Sequence, residues 1–145
     1  MSAVSFTVPA VPVAYARSRH NGRQHFTPAP LRSYMAEIAL FARRAMEGRE
    51  PLDGPLELLV GFQRVRKPRR AQPDGAVLDT ARPDLSNLIK AVEDALNGIV
   101  YGDDSQIVSI LADKRVTDMP GADPCISITV RPVGDSRQSE RGDRV

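Results

Sequence analysis

The stretch from Pro83 to Gly98 constrains the fold more than any other. Pro83-Asp84 is a helix-start signal, with a carboxylate where the first turn favours one, and Asn97-Gly98 is a stop. At about 100° per residue, Leu85, Leu88, Ile89, Val92, Ala95, Leu96 and Ile99 gather on one side. Lys90, Glu93 and Asn97 fall within about 40° of Ser86 on the opposite side, with Asn87 and Asp94 about 80–100° round. A helix of this kind must lay its apolar side against another layer and leave its polar side exposed.

Alternating segments supply that layer. Val4-Ser5-Phe6-Thr7-Val8 reads as a strand ended by Pro9 and Pro12. Leu56, Leu58, Val60 and Phe62 alternate with Glu57, Leu59, Gly61 and Gln63, a strand with one buried face. Gln106 to Leu111 begins a third strand that extends towards Val116, and Cys125 to Val130 is a fourth, with Ile126, Ile128 and Val130 on one face. A second helix follows the start signal Thr27-Pro28. It repeats Leu31, Tyr34, Met35, Ile38, Phe41, Ala42 and Ala45 and stops near Gly48. The predicted order is β-α-β-α-β-β, an α+β fold with a mixed β-sheet packed against two helices. Residues 1–132 are expected to form one domain, and 133–145 a polar, flexible tail. Ala71 to Ala81, with Pro73-Asp74-Gly75, reads as a mobile loop.

A chain of 145 residues can bury a core without staples. Its single cysteine excludes an internal disulfide, fits a reducing compartment and reads as a small buried apolar residue. No apolar run approaches the ~18–20 residues that span a bilayer, and the first residues lack a signal-peptide pattern. These features point to a cytoplasmic protein without membrane partners.

Charge is segregated. Residues 17–70 hold twelve basic and five acidic residues, whereas 79–104 hold two basic and six acidic. The loop from Tyr15 to Phe26, a hairpin-like excursion around Asn21-Gly22, carries Arg17, Arg19 and Arg23. Arg64, Arg66, Lys67, Arg69 and Arg70 place five basic residues in seven just before the acidic helix. Such forks and ammonium groups suit phosphate oxygens, and a contact to nucleic acid is the preferred reading over a solvated charge run because the second run sits just before the acidic helix. His20 and His25 stand in cationic surroundings that disfavour a metal. The acids Asp84, Glu93, Asp94, Asp103 and Asp104 could supply hard oxygen ligands for magnesium, with Lys90 beside them to stabilise a phosphate. On spacing alone, Asp84 as a helix cap and Asp103-Asp104 as turn acids remain an equal alternative.

Asp84-Leu85-Ser86-Asn87-Leu88-Ile89-Lys90, then Asp94-Ala95-Leu96-Asn97, then Asp103-Asp104-Ser105-Gln106-Ile107 resemble the RusA family of Holliday junction resolvases. The family pattern is Asp-x-Asp-Asn-Leu-x-Lys, then Asp-Ala-Leu, then an Asp-Asp pair before a strand. The similarity extends over roughly residues 4–132. It implies a RusA-like fold and a homodimeric, magnesium-dependent endonuclease, with manganese as a substitute and no small-molecule organic cofactor. Paired symmetric nicks in a four-way DNA junction, during DNA recombination and repair, would be its reaction. Carried over by position, Asp84 and Asp104 would be metal ligands and Lys90 the catalytic lysine. Ser86 stands where the family has a second aspartate. Glu93, two turns on and within about 20° of Ser86, is the residue expected to restore the lost charge. Asn87, Asp94 and Asp103 would orient the site around the metal ligands or the turn. Two alternatives stand beside this reading: a catalytically weakened junction-binding protein, and another metal-dependent nuclease.

Overall fold

The computed structural model describes residues 2–16, 19–21, 24–26 and 28–134. Among the described residues seven strands and two α-helices follow one another: β1 (Val4–Val8), β2 (Arg19–Asn21), β3 (Gln24–Phe26), α1 (Ala29–Met46), β4 (Leu56–Val65), β5 (Ala76–Leu78), α2 (Leu85–Leu96), β6 (Ile107–Thr117) and β7 (Cys125–Pro132). Five of the strands form a sheet in the order β1-β7-β4-β6-β5, and β2 and β3 pair separately as the expected hairpin.

The sheet is mixed because of one crossover. β4 and β6 run parallel, while β7 joins β4 and β1 antiparallel, and β5 joins β6 antiparallel. A parallel pair needs a long connection, and the chain between β4 and β6 contains β5 and α2. That connection brings the turn after α2 to the start of β6.

The core lies on one face of the sheet. Leu56, Leu58, Val60 and Phe62 of β4 are buried with Ile126, Ile128 and Val130 of β7. Against them pack Leu31, Tyr34, Ile38, Ala42 and Met46 of α1, and Leu88, Ala91, Val92, Ala95 and Leu96 of α2. The opposite face carries polar groups around Leu59 and the exposed Leu111: Ser109 and Arg131 both donate to Glu57, and Ser5 and Thr129 share a hydrogen bond. Alternate residues of a strand point to opposite faces, so the buried apolar residues of β4 and β7 fall on the helix side.

The expected fold class and main elements are present, with four local corrections. The 71–81 loop contains β5, which pairs with Arg115–Thr117. Three residues with an exposed–intermediate–exposed pattern leave no periodic trace in the sequence. Cys125 is half-buried on the polar side of β7, since Ile126 takes the core side. Helix α1 has Pro28 as its N-cap, with no side-chain cap bond, and it closes on a left-handed Glu47 (φ 50°) just before Gly48. Finally, Asp84 occupies the N-cap of α2 without its side chain capping the helix. Residues 135–145, most of the predicted tail, lie outside the described residues. No described helix is long and apolar enough to cross a membrane.

Candidate metal and DNA site along the second helix

The N-terminal end of α2 is held from outside the helix. The Lys114 ammonium on β6 donates to the carbonyls of Ala81 (2.5 Å) and Pro83 (2.8 Å). The Asp79 N–H donates back to the Lys114 carbonyl at 3.0 Å, and the Asp79 carboxylate accepts from the Ala81 N–H at 3.0 Å. The residues just before Asp84 are therefore tied to the sheet by both backbone and side chain. Asp84 starts the helix through its carbonyl, which accepts from Leu88 N–H at 3.1 Å, and its carboxylate takes no capping bond. That carboxylate opens onto a groove lined by Arg82, Pro83, Asp84 and Asn87. Ser86 is exposed on the next turn.

The C-terminal end of α2 carries the acidic pole. The Glu93 carboxyl is pushed up, first by burial, then by Asp104 and Asp94, with Lys90 opposing the rise. The Asp94 carboxyl is raised by burial and by Asp104, again against Lys90. Three carboxylates from two elements thus share one negative field. The sequence angles set Asp94 off the polar stripe, but Asp104 approaches from the turn before β6 and couples to both acids. Among the described residues Glu93 makes no ion pair with Lys90.

Two residues that the sequence reading gave no role build this pole. Tyr101 is fully buried, and its hydroxyl donates to the Glu93 carbonyl at 2.6 Å. Burial and the surrounding acids push its phenol well up, so it remains a neutral donor. Gln106 accepts from the N–H groups of Gly102 (2.9 Å) and Asp103 (3.1 Å), and donates to the carbonyls of Leu52 and Gly54. It fastens the Asp103-Asp104 turn to the chain before β4. The Asp103 carboxylate accepts from Ser105, which holds its carboxyl below the usual range. Asp103 is a turn acid, and Asp104 is the one that couples to the helix.

Lys90 is exposed between the two ends, its Nζ 4.5 Å from the centre of the Tyr15 ring. Asp84 and Glu93 are nine residues apart, about 14 Å along a helix axis. Accordingly, no group of three His, Cys, Asp or Glu side chains closes into a metal cage among the described residues. The donors still suit magnesium, which favours one or two carboxylates and keeps several waters. The chemistry of the donor set supports this fit: Glu93 and Asp94 are carboxyls raised first by burial, with Asp104 adding negative charge that a cation would offset.

The basic residues divide into two groups. Arg64 pairs with the buried Asp79 at 2.7 Å, and Arg66 with Asp74 at 3.4 Å. Both are engaged within the fold. Lys67, Arg69 and Arg70 are exposed and without an ion pair among the described residues. Arg17 and Arg23 lie outside the described residues, and Arg19 is described only in its backbone.

The chain is 30% identical to the uncharacterized protein YqaN of Bacillus subtilis (strain 168), over 92% of this chain and 99% of that protein. Residues 8–131 match the family of endodeoxyribonuclease RusA, a span that runs from β1 to β7 and includes both ends of α2. The chain belongs to the RusA endodeoxyribonuclease family.

Proposed function

We propose that this protein is a magnesium-dependent endonuclease that resolves four-way DNA junctions by paired nicks. The observation that carries the reading is the shared negative field of Glu93, Asp94 and Asp104 beside Lys90, in a chain with exposed basic residues nearby in sequence. Family membership supplies the reaction class, DNA phosphodiester cleavage. Asp104 and Glu93 would hold the cation, with manganese as a substitute, and Asp84 extends the acidic line to the helix start. When bound, a divalent cation neutralises phosphate charge and makes water more acidic. Lys90 pairs with a phosphate oxygen and stabilises the charge that builds there during cleavage. Tyr101 holds the backbone of Glu93, and Gln106 holds the turn of Asp104, so both carboxylates are presented without reorganisation. Lys67, Arg69 and Arg70, with Arg17, Arg19 and Arg23 of the hairpin, grip the phosphate backbone. A two-fold junction matches a two-fold protein, so we propose a homodimer acting in the cytoplasm.

One experiment tests the class and the substrate together. The protein is incubated with a four-way junction, its linear duplex and single strands, with magnesium or with a chelator. Symmetric nicks in the junction alone, only with metal, are expected. Uniform degradation of all three would replace the reading with a general metal-dependent nuclease. Within the site, Glu93→Gln should lower the nicking rate more than Glu93→Asp; wild-type rates in both would remove Glu93 from the metal site.

Ser86 favours a second reading, a junction-binding protein with weakened cleavage, because a neutral hydroxyl replaces a family carboxylate. A salt-sensitive gel shift without cutting would support it. Restored cutting in Ser86→Asp would then locate the defect.

A further inference from the structure

Tyr15 has no part in the family pattern described above, yet it touches the polar side of α2 twice. It lies two residues before Arg17, in the segment joining β1 to the β2–β3 hairpin. Its N–H donates to the Asn87 carbonyl at 3.0 Å, which pins this segment to the first turns of α2. Its ring is half-buried and packs against the core, so the fold sets its position. The Lys90 ammonium sits 4.5 Å from the ring centre, within the range in which an aromatic face attracts a cation.

Lys90 is exposed, and its four-carbon stem is flexible. Its charge is felt by both Glu93 and Asp94. Two attractors are therefore open to one ammonium: the ring, 4.5 Å away, and the carboxylates that feel its charge. A lysine that closed onto the carboxylates would neutralise them and be lost to a phosphate. The ring draws it away without supplying a negative charge. Among the described residues the Tyr15 hydroxyl has no hydrogen-bond partner, so the aromatic face is the group in use.

We propose that Tyr15 is a positioning residue: its ring holds the Lys90 ammonium off the Glu93 and Asp94 carboxylates and ready for an incoming phosphate. The proposal rests on the reading of Lys90 as the phosphate-stabilising lysine. It also means that the segment leading into the basic hairpin and the helix bearing Lys90 are coupled through one residue, by its N–H and by its ring. Tyr15 does not touch the reacting atoms and is not itself catalytic.

The test compares the full-length wild type with Tyr15→Phe and Tyr15→Leu by two readouts. The first is the NMR shift of the Lys90 ε-methylene, without DNA or metal, where a ring face produces an upfield displacement. The second is the nicking rate at saturating four-way junction with magnesium, alongside the junction Kd in chelator. Wild type and Tyr15→Phe should share the displaced resonance and the rate. Tyr15→Leu should lose the displacement and nick about five-fold more slowly, with Kd unchanged. Tyr15→Met serves in place of Tyr15→Leu if the leucine variant does not fold. An unmoved Lys90 resonance in the leucine variant overturns the proposal, as does an unchanged rate, a change confined to Kd, or failure of Tyr15→Phe to match wild type. If the wild type nicks no junction, the functional reading fails and the positioning role fails with it. The NMR result then still shows whether ring and lysine meet in solution, which separates the two failures.

Discussion

The two ends of α2 present carboxylates in opposite ways. At the N-terminal end one acid, Asp84, is supported entirely by its neighbours' hydrogen bonds: Lys114 and Asp79 fix residues 79–83, and the Asp84 side chain is left without a structural task. At the C-terminal end Glu93 and Asp94 lie in the field of Asp104, and the Glu93 and Asp94 carboxyls are raised first by burial and then by that neighbouring charge. The first end is ordered by satisfied bonds; the second holds unrelieved charge. A site that recruits a cation needs the second kind of end, and a site that orients a group towards a substrate needs the first. In the proposed function the C-terminal end holds the cation, and the contrast can be broken at either end.

The largest effect is expected at the acidic pole. Asp104→Asn should lower the magnesium-dependent nicking rate by roughly a hundredfold or more, measured under single turnover. It should also let the Glu93 and Asp94 carboxyls titrate at lower pH, read by side-chain carbon NMR, since one like charge has gone. Burial remains, so both should stay above the ordinary range. A cut in rate without movement of those titrations would uncouple the three acids.

Next comes the supported end. Lys114→Met removes two charge-assisted bonds to the carbonyls before Asp84 and should cost about 2 kcal/mol in urea unfolding. The nicking rate at saturating junction should fall while the Glu93 and Asp94 titrations stay put. If those titrations move instead, the two ends are one unit.

A smaller loss is expected for Asp79→Asn, about 1–2 kcal/mol, because Arg64 is partly exposed and can turn to water. Arg64 holds the Asp79 carboxyl below the usual range. The pair's stabilisation is therefore complete above the ordinary carboxylate pKa and is lost as pH falls through the depressed value. Asp79→Asn should flatten that part of the acid limb of stability. The smallest effect separates the basic residues: Lys67→Ala should reduce the salt slope of junction binding by about one unit. Arg64→Ala should lower stability through the lost Asp79 pair and leave the slope nearly unchanged.

Much of this was legible in the chain because it depends on local periodicity. The apolar side of α2, its stop at Asn97-Gly98, the alternating strands and the pairing of β2 with β3 all follow from spacing and turn chemistry. Other features had no local signal. β5 is three residues long and only partly covered. Arg64 and Arg66 look free within a basic run, but their partners Asp79 and Asp74 lie fifteen and eight residues on. Gln106 reads as the first residue of a strand, while in the structure its amide ties the Asp104 turn to Leu52 and Gly54.

By itself the sequence determined which side chains α2 turns to the core, which it leaves in water, and the family to which the motif points. Those are consequences of a fixed angle per residue and of residue types at fixed intervals. Only the tertiary structure decided which acids meet. The crossover from β4 through α2 to β6 brings Asp104 to Glu93 and Asp94, and leaves Asp84 at the far end beside Lys114. Helical spacing measures distance along one element, whereas a charge field sums over every element that folds within reach.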